Sequence, residues 1–195
     1  RALPSQAGHG RNTADIALMI GQAMALDVKA LHHLKLAALL HDIGLLMLPP
    51  SLTGNKAPYA SESYVAIQHH ARLGATLLEP FVFMRDAAIL IAHHHERWDG
   101  SGYPYGIRGA YIPLGSRILA IADAFDAIHV PEVSDRNTRS SIALRILRVA
   151  AGTQFDPNIV QVLTQHLSTS ATPDLTSSMT KKPFVLPEHH YEDAP

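Results

Sequence analysis

Apolar residues recur at helical spacing along most of the chain. This periodicity predicts helices over residues 13–26, 28–43, 61–78, 84–96, 114–128, 139–150 and 157–167. Gly44 is expected to cap the second helix, and Asp156 to cap the last, with Pro157 in its first position. No segment shows the alternation typical of a strand, so the predicted fold class is all-α.

Three segments interrupt this pattern. Residues 49–58 contain Pro49, Pro50, Gly54 and Pro58 and predict a loop. Residues 99–113 are rich in Gly, Pro and Tyr and predict a long, ordered functional loop. From residue 168 onward Ser, Thr, Pro and charged residues dominate, which predicts an irregular tail. We therefore expect a helical bundle domain over residues 1–167 and a C-terminal tail over residues 168–195.

Composition narrows the class of protein. The 195 residues are 47% hydrophobic and 17% charged, which excludes wholesale disorder. Because 16 Lys and Arg balance 17 Asp and Glu, and no apolar run could span a bilayer, we expect neither nucleic-acid binding nor membrane contact from this segment. The absence of cysteine excludes disulfides, thiolate catalysis and Cys-ligated zinc, and it fits a cytoplasmic location.

The histidines add a candidate chemistry. There are 13 of them, many in pairs or triplets. His41 and Asp42 adjoin within an apolar segment, where they are either metal ligands or a buried pair bonded to the backbone, since an unpaired carboxylate is costly to bury. Asp123 also lies in an otherwise apolar helix, so its carboxylate needs a partner for the same reason. Further imidazoles that could converge with them in a bundle, a known setting for di-metal sites, are His9, His70, His94 and His95.

The remaining histidines are interpreted as ordinary surface or half-buried residues: His32, His33, His69, His93, His129, His166, His189 and His190. A ligand set of imidazole and carboxylate without sulfur suits Fe, Mn or another first-row metal.

Four segments resemble one known family. They are HDIG at 41–44, HHERWDGSGYP at 94–104, IPLGSRILAIADAFDAI at 112–128 and AGTQFDP at 151–157. With them, the chain resembles the HD-GYP domain family, a branch of the HD metal-dependent phosphohydrolases, over residues 9 to 167. The resemblance implies an HD-domain helical bundle with a long GYP loop, in a bacterial cytoplasmic protein that carries an attached sensory or receiver domain.

The resemblance also implies a site and an activity. Two divalent metal ions, Fe or Mn, would be held by His9, His41, Asp42, His70, His94, His95 and Asp123. Asp42 would be the catalytic residue that bridges both ions. The family hydrolyses cyclic di-GMP to linear pGpG and in some members to GMP, because a metal pair activates water and stabilises the developing charge. Ser5 stands where members with a third metal have Glu, which argues against a third ion.

The GYP loop, named after its motif Gly102-Tyr103-Pro104, and the residues just before it add three groups of candidate residues. Those expected to shape the backbone beside the site are Gly100, Gly102 and Pro104. Those expected to accept hydrogen bonds from ligating histidines are Glu96 and Asp99. Those expected to contact the substrate are Arg97, Trp98 and Arg108. The aromatic residues Trp98, Tyr103 and Tyr105 would either pin the loop to the bundle, stack on a base, or present a surface to a diguanylate cyclase or an adaptor protein.

The chain departs from the family at positions that would meet an anion. Leu45 stands where the family usually has Lys, and Asn12 where it often has Arg. Glu132 and Asp135 replace the two cations of an Arg-Pro-Tyr-Arg/Lys stretch, whose middle positions hold Val133 and Ser134.

Three interpretations therefore stay open. Arginines at shifted positions could supply the charge, the candidates being Arg97, Arg108, Arg136 and Arg139. The substrate could be another nucleotide or phosphoester. Alternatively, the domain could bind metal, turn over slowly and serve as a sensory or regulatory module.

Overall fold

The computed structural model of the chain describes residues 8–53, 61–128 and 135–170, and this part is helical, without a strand. Its α-helices are α1 His9–Ala23, α2 Val28–Leu40, α3 Pro50–Thr53, α4 Ser61–Gln68, α5 His70–Leu78, α6 Arg85–Ala92, α7 Leu114–Ala127, α8 Arg136–Val149 and α9 Pro157–Ser170. Short 3₁₀ helices cover Ile43–Met47, Val82–Met84 and Gly109–Tyr111. The predicted all-α class is confirmed.

An aliphatic core holds these helices together. Helix α1 packs along both α2 and α7, while α6 packs against α2 and α5. Leu34, Ile91, Ile118, Leu119 and Leu163 are fully buried. Burying one such side chain stabilises the fold by about 1.5–3 kcal/mol, so the core fixes the positions of the helices that carry the candidate ligands.

The periodicity located the outer helices well but not their ends. Helix α1 begins at His9 rather than at residue 13. Helix α9 begins at Pro157 as predicted, and Asp156 accepts a hydrogen bond from the Asn158 amide at 2.9 Å. It continues to Ser170, so the first residues of the expected tail are helical. The rest of that tail lies outside the described residues.

Three of the predicted helices are shorter than the apolar pattern suggested. The helix expected over residues 28–43 ends at Leu40, the one over 61–78 is divided between α4 and α5, and the one over 84–96 is α-helical only in α6. Each break places a histidine at a helix end: His41 follows α2, His70 begins α5 and His94 lies just beyond α6. The apolar pattern of the sequence continues across the first two breaks, so periodicity alone did not reveal them.

Gly44 explains the first break and is not the helix cap that the sequence suggested. It lies within the 3₁₀ helix Ile43–Met47. A Cβ atom there would clash with the carbonyl oxygen of His70 and would lie 2.6 Å from the amide nitrogen of Gly74. Only glycine allows this close approach, which holds the turn after Asp42 against the start of α5.

The structure contains the loop predicted over residues 99–113, and it describes only part of the loop predicted over residues 49–58. The backbone of residues 99–113 is ordered, and its start is anchored by the Trp98 amide on the Gln154 carbonyl at 3.1 Å and by the Asp99 amide on the Thr153 carbonyl at 2.8 Å. In the proline-rich segment, α3 covers Pro50–Thr53, and residues 54–60 lie outside the described part.

None of the described helices combines the length and the apolar character that a membrane span requires.

Candidate metal centre

The structure brings the seven candidate ligands together from distant parts of the chain. They come from α1, the turn after α2, the start of α5, the turn after α6, and α7. Among the described residues, two groups have ligand atoms within 4.8 Å of one another. We define the first group as His9, His41 and Asp42, and the second group as His70, His94 and His95.

Asp42 belongs to the first group and also faces the second. Its Oδ2 atom is 3.6 Å from His41 Nε2, and its Oδ1 atom is 3.6 Å from His70 Nε2. One carboxylate oxygen therefore faces each group, which is the arrangement of a ligand that bridges two ions. The side chain of Asp42 is 27% exposed, so a molecule from solvent can reach it.

Asp123 joins the first group. Its Oδ1 atom is 3.0 Å from His9 Nε2 and 3.6 Å from His41 Nε2. In the second group, His70 Nε2 and His95 Nε2 are 3.2 Å apart. Two ligands that each lie about 2.1 Å from one ion are about 3.0–3.6 Å from each other when the angle between them at the ion is about 90–120°, so these separations suit a shared ion.

Three of the histidines are oriented by the backbone. In each, Nδ1 donates to the carbonyl oxygen of the residue three positions earlier: His41 to Ala38 at 2.9 Å, His70 to Ile67 at 2.7 Å and His94 to Ile91 at 2.6 Å. Because Nδ1 carries the proton, the lone pair of Nε2 is free to face the site, which is how a ligating imidazole is usually held.

His94 provides the test of whether a metal fits here. The residue is buried, and its Nε2 atom is one of the buried side-chain atoms that lack a hydrogen-bond partner within the described part of the chain. An unsatisfied buried polar atom costs about 1–3 kcal/mol, and a bound cation would remove that cost. The orphaned nitrogen and the sulfur-free ligand set both fit a divalent first-row metal.

The protonation states of the second group also suit metal binding. Burial and the neighbouring His95 and His41 hold the pKa of His94 well below its usual range. Burial, together with His70 and His41, lowers the pKa of His95 to about 3. Both imidazoles therefore stay neutral near pH 7, as a metal ligand must be.

The first group behaves differently. The hydrogen bond to Asp123, with a further contribution from Asp126, outweighs burial and raises the pKa of His9 to about 9. Although burial opposes the charged form of Asp123, the His9 hydrogen bond and the nearby His41 hold the pKa of that carboxyl below its usual range. Without a bound ion, the protonated imidazole of His9 is therefore paired with the ionised carboxylate of Asp123.

The GYP loop packs directly against the second group. The ring of Tyr103 stacks on His95 with centroids 4.8 Å apart, and the Tyr103 amide donates to the His95 carbonyl at 3.2 Å. A Cβ atom at Gly102 would lie 2.6 Å from that same carbonyl oxygen, so the approach requires glycine. Gly100 has φ 87°, and the Tyr103–Pro104 peptide bond is cis.

Glu96 and Asp99 have partners other than the expected histidines. Both oxygens of the buried Glu96 accept backbone amides of the loop, from Tyr105 at 2.7 Å and Ile107 at 3.1 Å. Asp99 accepts the Ser101 amide at 2.9 Å. This corrects the expected role of both carboxylates, and the reason is that backbone carbonyls already take the Nδ1 protons of His41, His70 and His94.

Trp98 anchors the loop to the bundle. The Arg117 guanidinium lies 5.8 Å from the centre of its ring, and Arg117 in turn pairs with Asp156 at 2.6 Å. This environment favours the pinning role over the expected substrate contact.

The two arginines that were also expected to contact the substrate differ in their partners. Arg97 donates to Ser101 at 2.8 Å, whereas Arg108 is exposed and has no side-chain hydrogen bond in the described part of the chain.

Some of the positions that depart from the family pattern lie within the described residues. Leu45 lies in the 3₁₀ helix beside the His41-Asp42 turn, and Asn12 is exposed on α1. Asp135 caps α8 by accepting the Thr138 amide at 2.7 Å. Outside the described residues lie Ser5, His129, Glu132, Val133, Ser134, His189, His190 and the side chain of Arg136.

Asp126 is a site residue that the sequence analysis missed. Its Oδ2 atom is 2.7 Å from His9 Nδ1. The signal was present in the sequence, because Asp123 and Asp126 are three residues apart on α7 and so share a helix face.

A family model described as HD domain matches residues 2–159 of the chain. The chain belongs to the HD-domain family. This confirms the family inferred from the motifs, and the HD dipeptide of this domain is His41-Asp42.

Curated relatives of this HD domain include bacterial phosphodiesterases. The chain is 33% identical to the cyclic di-GMP phosphodiesterase response regulator RpfG of Xanthomonas campestris pv. campestris over 76% of its own length and 40% of the relative's. It is 31% identical to the 3′3′-cGAMP-specific phosphodiesterase 3 of Vibrio cholerae over 85% of its own length and 36% of the relative's. The chain thus spans well under half of the relatives that it matches.

Solved structures share the fold of this HD domain. A cyclic GMP-AMP specific phosphodiesterase of V. cholerae superposes with a TM-score of 0.64 at 23% identity, over 82% of this chain and 44% of that one. The HD domain of the L. monocytogenes phosphodiesterase PgpH, in complex with cyclic-di-AMP, superposes with a TM-score of 0.62 at 14% identity, over 86% and 90% of the two chains.

Proposed function

We propose that this HD domain is a metal-dependent phosphodiesterase that opens cyclic di-GMP to linear pGpG, the step that in some family members is followed by hydrolysis to GMP. The observation that carries the proposal is the position of Asp42, with one carboxylate oxygen 3.6 Å from an imidazole of each group. The names of the curated relatives, which act on cyclic dinucleotides, support the class of substrate.

The proposed ligand set divides evenly between two divalent ions, Fe or Mn. His9, His41 and Asp123 would hold one ion, and the second group would hold the other, with Asp42 shared between them. When bound, such ions activate water and stabilise the charge that develops on a phosphodiester. The protein's part is to keep His94 and His95 neutral and to fix the rings of His41, His70 and His94 through their Nδ1 hydrogen bonds.

A second candidate function follows from the altered anion contacts. Leu45 and Asp135 replace cations of the family pattern, and Asp135 serves as a helix cap. The domain would then act on another cyclic dinucleotide or phosphoester, or bind metal with slow turnover as a regulatory module.

We propose Arg108 as the cation that meets the substrate, because Asp99 and Ser101 already hold Arg97.

The GYP loop also offers a surface for a diguanylate cyclase or an adaptor protein. Tyr105 is 56% exposed and Tyr111 is 85% exposed. Because Trp98 and Tyr103 pack inward, these two tyrosines are the aromatic residues of the loop that a partner would contact.

The test is turnover by the reconstituted protein. The chain would be loaded anaerobically with Fe(II) or with Mn(II) and incubated separately with cyclic di-GMP, 3′3′-cGAMP and cyclic di-AMP, and the products would be separated by chromatography. Asp42→Ala should lower the rate by more than about 100-fold, because it removes a ligand shared by both ions. Asp15→Ala, at an exposed carboxylate of α1, is the matched control and should keep the wild-type rate.

The products distinguish the alternatives. Linear pGpG that depends on Asp42 supports the main proposal. Turnover of another dinucleotide alone, or full metal loading without any product, favours the second candidate. Equal rates for the wild type and Asp42→Ala would exclude a reaction at this site.

A further inference from the structure

His9 differs from three of the other histidines of the site in what orients it. His41, His70 and His94 each donate Nδ1 to the carbonyl oxygen three residues earlier. His9 is the first residue of α1 and follows Gly8, which has φ 102°. The residue three positions before His9 lies outside the described part of the chain, and within that part the Nδ1 atom of His9 bonds to a side chain instead of a backbone carbonyl.

Asp126 supplies that acceptor. Its Oδ2 atom is 2.7 Å from His9 Nδ1, while the opposite ring nitrogen, Nε2, is 3.0 Å from Asp123 Oδ1. Both carboxylates come from α7, one helical turn apart, and α1 packs along this helix. The pair of carboxylates thus fixes both the position and the rotation of the ring.

We infer that Asp126 is a positioning residue that sets the affinity of the first group for its ion, an inference that rests on the proposed metal centre. With Nδ1 donating to a carboxylate, His9 presents Nε2 toward Asp123 and His41. A carboxylate acceptor also makes the imidazole a stronger ligand than a carbonyl acceptor does. The second group has no contact with Asp126 among the described hydrogen bonds, so the effect should be confined to one of the two ions.

The test is binding of Mn(II) alone, followed by calorimetry and by electron paramagnetic resonance. The wild type should bind two ions per chain and give the spectrum of a coupled pair. Asp126→Ala should weaken one of the two binding steps by about 10–100-fold and replace the coupled signal with that of an isolated ion, because outer-shell partners have effects of this size.

Two further variants complete the experiment. Asp126→Asn keeps an oxygen that can accept from Nδ1 but loses the charge, so its affinity should lie between those of Asp126→Ala and the wild type. Asp15→Ala should bind as the wild type does. The circular dichroism spectrum of each metal-free variant monitors the fold, and Asp126→Asn carries the test if Asp126→Ala does not fold.

The outcomes separate this inference from the proposed function. Two Mn(II) bound by Asp126→Ala and Asp126→Asn with wild-type affinities would overturn the role of Asp126 and leave the metal centre intact. A wild type that binds no Mn(II) and no Fe(II) would overturn both. Equal weakening of the two steps would show a general structural effect and would also overturn the inference.

Discussion

At the scale of single residues, the imidazoles of the candidate centre fall into two electrostatic classes. His94 and His95 are kept neutral by burial and by neighbouring imidazoles, whereas the contacts with Asp123 and Asp126 hold a proton on His9. A metal needs a neutral ring, so binding at the first group has to displace the proton of His9, whereas His94 and His95 in the second group have no proton to displace.

This difference predicts proton release on metal binding. With the pKa of His9 at about 9, the ring is protonated at pH 7.5 in the metal-free protein, and loading the first group should release about one proton. The affinity of this group should rise by up to about tenfold per pH unit and level off above pH 9. Titration of Mn(II) by calorimetry in buffers of different ionisation enthalpy measures the number of protons released.

The second group supplies the internal control. The pKa of His95 is about 3 and that of His94 is well below its usual range, so neither of these two rings should release a proton when the second group binds its ion near pH 7. Equal proton release in both steps, or none in either, would contradict the assignment.

At the scale of elements, the candidate ligands gather where helices end. His41 follows α2, His70 begins α5, His94 and His95 follow α6, and His9 begins α1. Chain turns at these ends allow adjacent residues such as His41 and Asp42 to point toward one site, which a continuous helix would separate by about 100°. The sequence analysis treated the His41-Asp42 pair as helical and so missed the turn that makes this possible.

Gly44 is the test of this arrangement. Gly44→Ala should destabilise the protein by several kcal/mol, or displace the turn from α5, because its Cβ would clash with the His70 carbonyl and no flexible side chain can yield. We expect a lower midpoint of urea unfolding together with loss of Mn(II) binding at both groups.

Gly152→Ala is the control for backbone strain. This glycine has φ 84° and no neighbour within reach of a Cβ, so the substitution should cost about 1–2 kcal/mol without loss of metal binding. Full metal binding by Gly44→Ala would show that the close approach to α5 is not needed.

At the scale of the whole molecule, one buried ion pair connects the loop, α7 and α9. Asp156 caps α9 and pairs with Arg117 on α7, which lies over the ring of Trp98 at the start of the loop. Asp156 is almost fully buried, with 2% of its side chain exposed, and the Arg117 side chain is 16% exposed. The packing of three distant segments therefore depends on one carboxylate.

Removal of that carboxylate should be costly. Asp156→Ala leaves the Arg117 charge largely buried without its partner and should lower the free energy of unfolding by about 3 kcal/mol. Asp135→Ala removes an exposed cap from α8 and should cost clearly less, because solvent can replace the lost hydrogen bond. Urea denaturation of the two variants measures the difference, and equal losses would show that the ion pair adds nothing beyond the cap.

The sequence by itself determined the helical class, the order of the main helices and the set of candidate ligands. Helical periodicity and a ligand set without sulfur are local properties, so they are visible in the chain alone. Asp156 as a cap was also predictable, because a cap depends only on residues next to it in sequence.

Only the tertiary structure decided where helices end, which partners the polar side chains take and how the ligands divide into two groups. The turn at Gly44 depends on the backbone of α5, and the acceptor of His9 comes from α7, more than 100 residues away in sequence. The carboxylate of Glu96 accepts amides of Tyr105 and Ile107, which lie further along the loop, and no local pattern reveals this. Contacts between residues distant in sequence depend on how the helices pack, and for this reason they could not be derived from the spacing of the motifs.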